Sequence, residues 1–171
     1  MRGAASDTGP PAGRLLGRDE IEAAYTDELE TLGRQRLMNL SAGYQEMLKK
    51  NPHDMNALAQ LGILFAENGL TSEALEQFQK MLAHDKTNAL ALNNIGNISY
   101  QESRFDDARQ AYEAALKASS GEPGIMVNLA RTLLQTGKKE EAKKLFQDAA
   151  AIDPRVLRQY ADLAVSLEIV K

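Results

Sequence analysis

ALNNIGNISYQESRFDDARQAYEAAL, residues 91–116, holds two amphipathic patterns side by side. Leu92, Ile95 and Gly96 recur at three- and four-residue spacing in its first half, and Ala108, Tyr112 and Leu116 do so in its second, so both halves read as helix. Outward from this stretch the pattern returns every 34 residues: Leu58, Leu92, Met126 and Tyr160 form one column, and Leu61, Ile95, Leu129 and Leu163 another. Gly62, Gly96, Ala130 and Ala164 run beside them. The second half of the unit repeats in the same way, with Ala74, Ala108 and Ala142, then Phe78, Tyr112 and Phe146, then Leu82, Leu116 and Ala150. A register kept over so many columns describes an array of helix pairs rather than a set of unrelated helices.

The residue types in the columns have a packing reason. Antiparallel helices approach to roughly 8–10 Å only where contact positions are small or interdigitate, and Gly62, Gly96 and the Ala74 column supply those positions. One large ring per unit, the Phe78 column, fills the space between neighbouring pairs. Gly69 and Gly137 fall between the helices of their units, where the chain reverses, and Ser103 takes the equivalent place in the middle unit. Pro52 and Pro154 mark unit ends, with Lys86 and Ser120 at the corresponding sites.

Small, aromatic and alanine columns at this period resemble the tetratricopeptide repeat, over about residues 36–168. The resemblance implies an all-α fold, a right-handed superhelical solenoid of antiparallel helix pairs. Its expected organisation is a leader over residues 1–18, a degenerate first repeat over 19–54, full repeats over 55–88, 89–122 and 123–156, and a C-terminal helix over 157–171. Ser99 departs from the pattern, standing where a large apolar residue is usual, and Met81 sits where Ala115 and Ala149 are small.

The leader, MRGAASDTGPPAGRLLGR, has too few apolar anchors to offset the entropy of ordering it, and is expected to be flexible. From there Ile21, Tyr25, Leu29 and Leu32, then Leu37, Leu40, Tyr44, Met47 and Leu48, predict two helices, with Asp19 capping the first and Gly33 breaking one from the other. The array's last helix ends in VSLEIVK, where Val165, Ile169 and Val170 join Leu163 and Leu167 and leave it apolar on many sides. Terminal units usually carry a polar outer face, so this end is expected to continue into further chain or to pack on another copy.

Composition excludes several functions. With 20 Lys and Arg against 24 Asp and Glu, the net charge of −4 disfavours a nucleic-acid footprint. KKEEAKK, residues 138–144, has its basic field diluted by two glutamates and reads as a solvated face. No run approaches the roughly 18 apolar residues of a membrane span, so a soluble chain without membrane insertion is expected. The absence of cysteine removes disulfides, thiolate metal sites and a cysteine nucleophile. It fits cytoplasm and periplasm alike, with the cytoplasm preferred. His53 and His84 fall at unit boundaries as polar loop residues, without metal-ligand spacing. Gly137-Lys138-Lys139 lacks the rest of a phosphate loop. The sequons at Asn39 and Asn97 lie within predicted helices. No enzyme activity, cofactor or metal is expected.

A partner surface is expected instead. With Leu58, Leu61, Gly62 and Phe65 inward, 100° per residue places Asn56, Gln60, Ile63 and Glu67 on the opposite stripe. The following first helices add Asn93, Asn94, Asn97 and Gln101, then Val127, Asn128, Arg131 and Gln135, and the last helix adds Arg158 and Asp162. By the family resemblance this stripe is the floor of a concave groove that holds an extended peptide or partner segment. Gln60, Asn94, Asn128 and Asp162 form one column, and a carboxamide supplies the donor and acceptor that a peptide bond requires; the same amides could equally bond to neighbouring helices or water. Family members that clamp a terminal carboxylate use a lysine and an asparagine, a second asparagine and two further basic residues. Asn97, Asn128 and Arg158 match that set, but Asn93 and Asp162 stand where cations are required. The competing expectation is a self-associating structural module joined through its terminal helices.

Overall fold

The computed structural model describes residues 18–170 as α1 (Arg18–Lys50), α2 (Met55–Glu67), α3 (Thr71–His84), α4 (Ala89–Gln101), α5 (Phe105–Ala118), α6 (Pro123–Gln135), α7 (Lys139–Ile152), α8 (Val156–Gln159) and α9 (Ala161–Ser166). No strand occurs among the described residues. The leader expected over residues 1–18 lies outside them, apart from Arg18.

The chain divides into two units after Leu40. In the first, α1 presents largely exposed side chains from Gly33 to Leu40, laced by Arg34 on Glu30 at 3.2 Å and Gln35 on Asn39 at 3.0 Å. The side chains of Ile21, Tyr25 and Leu29, expected to form its apolar stripe, lie outside the described residues. Two expectations are corrected here. Asp19 does not cap the helix, which already starts at Arg18, and Gly33 does not break it. A glycine inside a helix costs only about 1 kcal/mol against alanine, and the Arg34-Gln35-Arg36-Leu37-Met38 run that follows consists of good helix formers with no proline to stop them.

In the second unit, residues 41–171, the helix pairs α2/α3, α4/α5 and α6/α7 stack through α3 against α4 and α5 against α6. Asp54 and Asn88 cap α2 and α4, their side-chain oxygens accepting from Ala57 N and Ala91 N at 3.0 Å. Pro123 takes the first position of α6, where its missing N–H is no loss. The residue 34 positions after Glu122 is Val156, which is the first residue of α8, offers no side-chain acceptor and is buried in the core. Asp153 nearby turns its carboxylate onto the Arg155 backbone and guanidinium instead, and those bonds hold its pKa below the usual carboxylate range. The single C-terminal helix expected from residue 157 is accordingly two short pieces, interrupted at Tyr160 (φ −124°, ψ 45°).

Each first helix ends in the same reversal: Leu70 N–H donates to Phe65 O, Arg104 to Ser99 O and Lys138 to Leu133 O, at 2.8–2.9 Å. The reversal needs one left-handed residue. Gly69 (φ 73°) and Gly137 (φ 79°) provide it freely, whereas Ser103 is held at φ 60°. Ser103→Gly is therefore expected to raise the unfolding free energy by roughly 0.5–1 kcal/mol, the relieved backbone strain exceeding glycine's extra unfolded-state entropy. A urea midpoint that fails to rise would count against this.

The apolar core forms two clusters. One contains Leu58, Leu61, Phe65, Ala74, Phe78 and Met81 from α2 and α3 with Ala91 and Ile98 from α4. The other runs from Ala108, Tyr112 and Ala115 on α5 through α6 and α7 to Val156, Leu163 and Leu167. Helix α4 contributes to both, Ala91 and Ile98 to the first and Leu92 and Tyr100 to the second. Within the pairs the helices approach closely at glycine: a Cβ added at Gly62 would come within 2.7 Å of the Phe78 ring, and one at Gly96 within 2.6 Å of the Tyr112 ring. Met81 is accommodated in the core, and Ser99 is buried beside Tyr100, whose ring makes an edge contact with Phe105 at 5.3 Å.

Candidate functional site

The first helices α2, α4 and α6 lie next to one another, and the expected stripe distributes unevenly along them. On α2, Asn56, Gln60 and Glu67 are exposed, while Ile63 is half-buried against the first core cluster. On α4, Asn93, Asn94 and Asn97 are half-buried and Gln101 is exposed. On α6, Asn128 and Arg131 are half-buried and Gln135 is exposed; Arg158 on α8 and Asp162 on α9 are exposed.

Val127 is the exception. It is 0% exposed and belongs to the second core cluster, so it is no part of a groove floor. Its column contains Ala59, Asn93 and Ala161, on the flank that faces the neighbouring first helix, where a branched apolar residue is covered by the stack.

Four polar side chains are wired together at the centre. The Tyr112 hydroxyl donates to Asn97 Oδ1 at 2.8 Å. Asn128 Nδ2 donates to the same oxygen and to Asn93 Oδ1, both at 3.1 Å. Burial pushes the Tyr112 phenol far above its ordinary pKa, with the nearby charge of Arg131 pulling weakly the other way, so the hydroxyl keeps its proton and acts as donor. Both protons of the Asn128 amide are thus committed within the chain. Asn94 likewise donates to Leu90 O of its own helix at 2.8 Å. The carboxamides are held in place, with Asn128 Oδ1 and Asn97 Nδ2 making no hydrogen bond among the described residues.

Two cavities open on this floor. One, of about 370 Å³, is lined by Asn97, Tyr100, Gln101, Tyr112, Asn128 and Arg131. The second, of about 540 Å³, continues past Tyr100 and Arg131 to Gln135, Arg158, Tyr160 and Asp162. Arg131 forms part of both, its guanidinium carbon 5.6 Å from the centre of the Tyr160 ring. Asn56, Gln60, Ile63 and Glu67 line neither. The sequence reading omitted Tyr100, Tyr112 and Tyr160. Tyr112 carried a usable signal, having a hydroxyl where the flanking units have Phe78 and Phe146.

Among the described residues no group of three or more His, Asp or Glu side chains is placed to hold a metal ion. No described helix is long and apolar enough to cross a membrane.

Residues 60–123 and residues 99–167 each match a tetratricopeptide repeat profile. The chain belongs to the tetratricopeptide repeat family. Among curated proteins it is similar to the type IV pilus assembly protein PilF of Pseudomonas aeruginosa, 30% identical over 156 residues, which cover 86% of this chain and 61% of that protein. It is also 30% identical to the cellulose synthase operon protein C of Pseudomonas fluorescens over 121 residues, which are 66% of this chain and 10% of that protein. The chain thus spans only part of the length of these relatives. Among solved structures, P. aeruginosa PilF superposes with a TM-score of 0.66 at 29% identity, over 90% of this chain and 72% of that one. MamA superposes with a TM-score of 0.66 at 19% identity, over 91% and 85%, a likeness of fold. Membership of this family makes the chain a helical-repeat scaffold for protein–protein interaction.

Proposed function

We infer that this tetratricopeptide array holds an extended segment of another protein along the floor carried by α4, α6 and α8/α9. The observation that carries this is the fixed carboxamide cluster beside two cavities that share Tyr100 and Arg131. Asn93, Asn97 and Asn128 are oriented by one another and by Tyr112, so polar groups facing a bound backbone lose little freedom on binding. The similarity to a pilus assembly protein supports a role in bringing proteins together rather than in chemistry.

Capture on immobilised chain tests this. Native partners retained by the wild type are expected to be lost from the Asn97→Ala, Asn128→Ala double variant, with helicity by circular dichroism unchanged. Equal retention by both would move the site off this floor. A second reading, self-association, is favoured by Ile152 (54% exposed), Val165 (55%) and Val170 (39%) near the end of the array; it gains if the only protein retained is this chain itself.

A further inference from the structure

We propose that the two cavities lined by Arg131 receive the side-chain carboxylate of an aspartate or glutamate within the bound segment. This rests on the groove reading above and names the chemistry it selects.

Arg34, Arg104, Arg109 and Arg155 each hold a carboxylate of this chain within ion-pair distance. Arg36, Arg131 and Arg158 do not, and of these only Arg131 is half-buried. Among the described residues its guanidinium has no hydrogen bond and no ion pair; it lies over the Tyr160 ring and near enough to Tyr112 for its charge to act on the phenol. A planar five-donor cation lining both cavities presents its fork to what enters them, and a carboxylate is the acceptor whose two oxygens match it. The ring face also orients the guanidinium plane, so the fork does not have to be ordered when the acid arrives.

The surrounding groups suit one negative charge. Asn97 Nδ2 and the Gln101 amide stand on the same wall as further donors. Arg158 also lines the second cavity and adds positive field there. Asp162, in the same lining, opposes a second acid, and the chain's net charge of −4 disfavours acidic tracts. The acceptable segment therefore carries a single acid flanked by uncharged residues. A terminal carboxylate held between paired cations does not fit, because Asn93 and Asp162 occupy the places where further cations would be needed.

Degenerate pools of N-acetylated, C-amidated nonapeptides test this, with the central residue fixed as Glu in one pool and Gln in another. A third pool has a neutral centre and a free terminal carboxylate. Retention is measured on the full chain and on Arg131→Gln, with Arg131→Lys for comparison. The wild type is expected to retain the Glu pool about ten-fold better than the Gln pool. On Arg131→Gln that preference falls to about one, and Arg131→Lys restores only part, having the charge without the fork. Equal retention of Glu and Gln pools by the wild type overturns the inference and leaves the groove standing. Retention of no pool overturns both. An Arg131-dependent preference for the free-carboxylate pool overturns the assignment to a side chain. The wild-type comparison needs no variant, so it holds even if a substitution disturbs folding.

Discussion

Phe78→Ala is expected to lower the unfolding free energy by about 3–5 kcal/mol, a loss large enough to threaten the whole array. Phe78 is 0% exposed, and its ring fills the space that Gly62 leaves by having no Cβ. The rest of that cluster, Leu58, Leu61, Phe65, Ala74 and Met81, closes around it. Truncation leaves a cavity that two rigid helices cannot collapse into, so the transfer term and the cavity term add. At this chain length each kcal/mol corresponds to roughly 2–4 °C, so the midpoint is expected to fall by about 10 °C. Thermal and urea unfolding followed by helical circular dichroism measure it. A loss under about 1 kcal/mol would mean that the ring is not the centre of its cluster.

Val127→Asp is the second large effect, and it discriminates between two places for one residue. On a groove floor an aspartate would be solvated, leaving stability within about 0.5 kcal/mol. At 0% exposure in the second core cluster, it would bury a carboxylate without a cation, at a cost of about 3–5 kcal/mol. Urea denaturation separates these outcomes by several-fold, and Gln60→Asp, at an exposed position on α2, serves as the exposed-side control.

The contrast between Val127 and its neighbours marks how far the sequence could be read. Columns at a 34-residue spacing were legible because packing two helices demands small residues and rings at fixed intervals, and Gly96 against Tyr112 is that demand realised. The caps at Asp54 and Asn88 went unread, although each stands one residue before the start of a repeat unit. Gly33 misled because a lone glycine lowers helix stability without supplying a stop. Val127 misled because a helical wheel defines in and out relative to one partner helix, while α6 also has α4 and α5 beside it. Within the candidate site the asparagines were identified by type, but not that they bond to each other, since nothing in a sequence period records the distance between side chains on neighbouring units. The cation–ring pairing of Arg131 with Tyr160 was hidden for the same reason, lying across α6 and the interruption between α8 and α9.

The asparagine wiring also makes the array's two internal seams mechanically unequal. Between α2/α3 and α4/α5, no side-chain hydrogen bond crosses among the described residues, and apolar surfaces such as Ile98 against the first cluster hold the pairs together. Between α4/α5 and α6/α7, Asn128 reaches across to Asn93 and Asn97. Apolar contact depends on area and tolerates a small slide; a pair of hydrogen bonds from one amide depends on direction and does not. The second seam is therefore expected to act as a rivet and the first as a slip plane, with bending and twisting of the stack concentrated on the α3/α4 side.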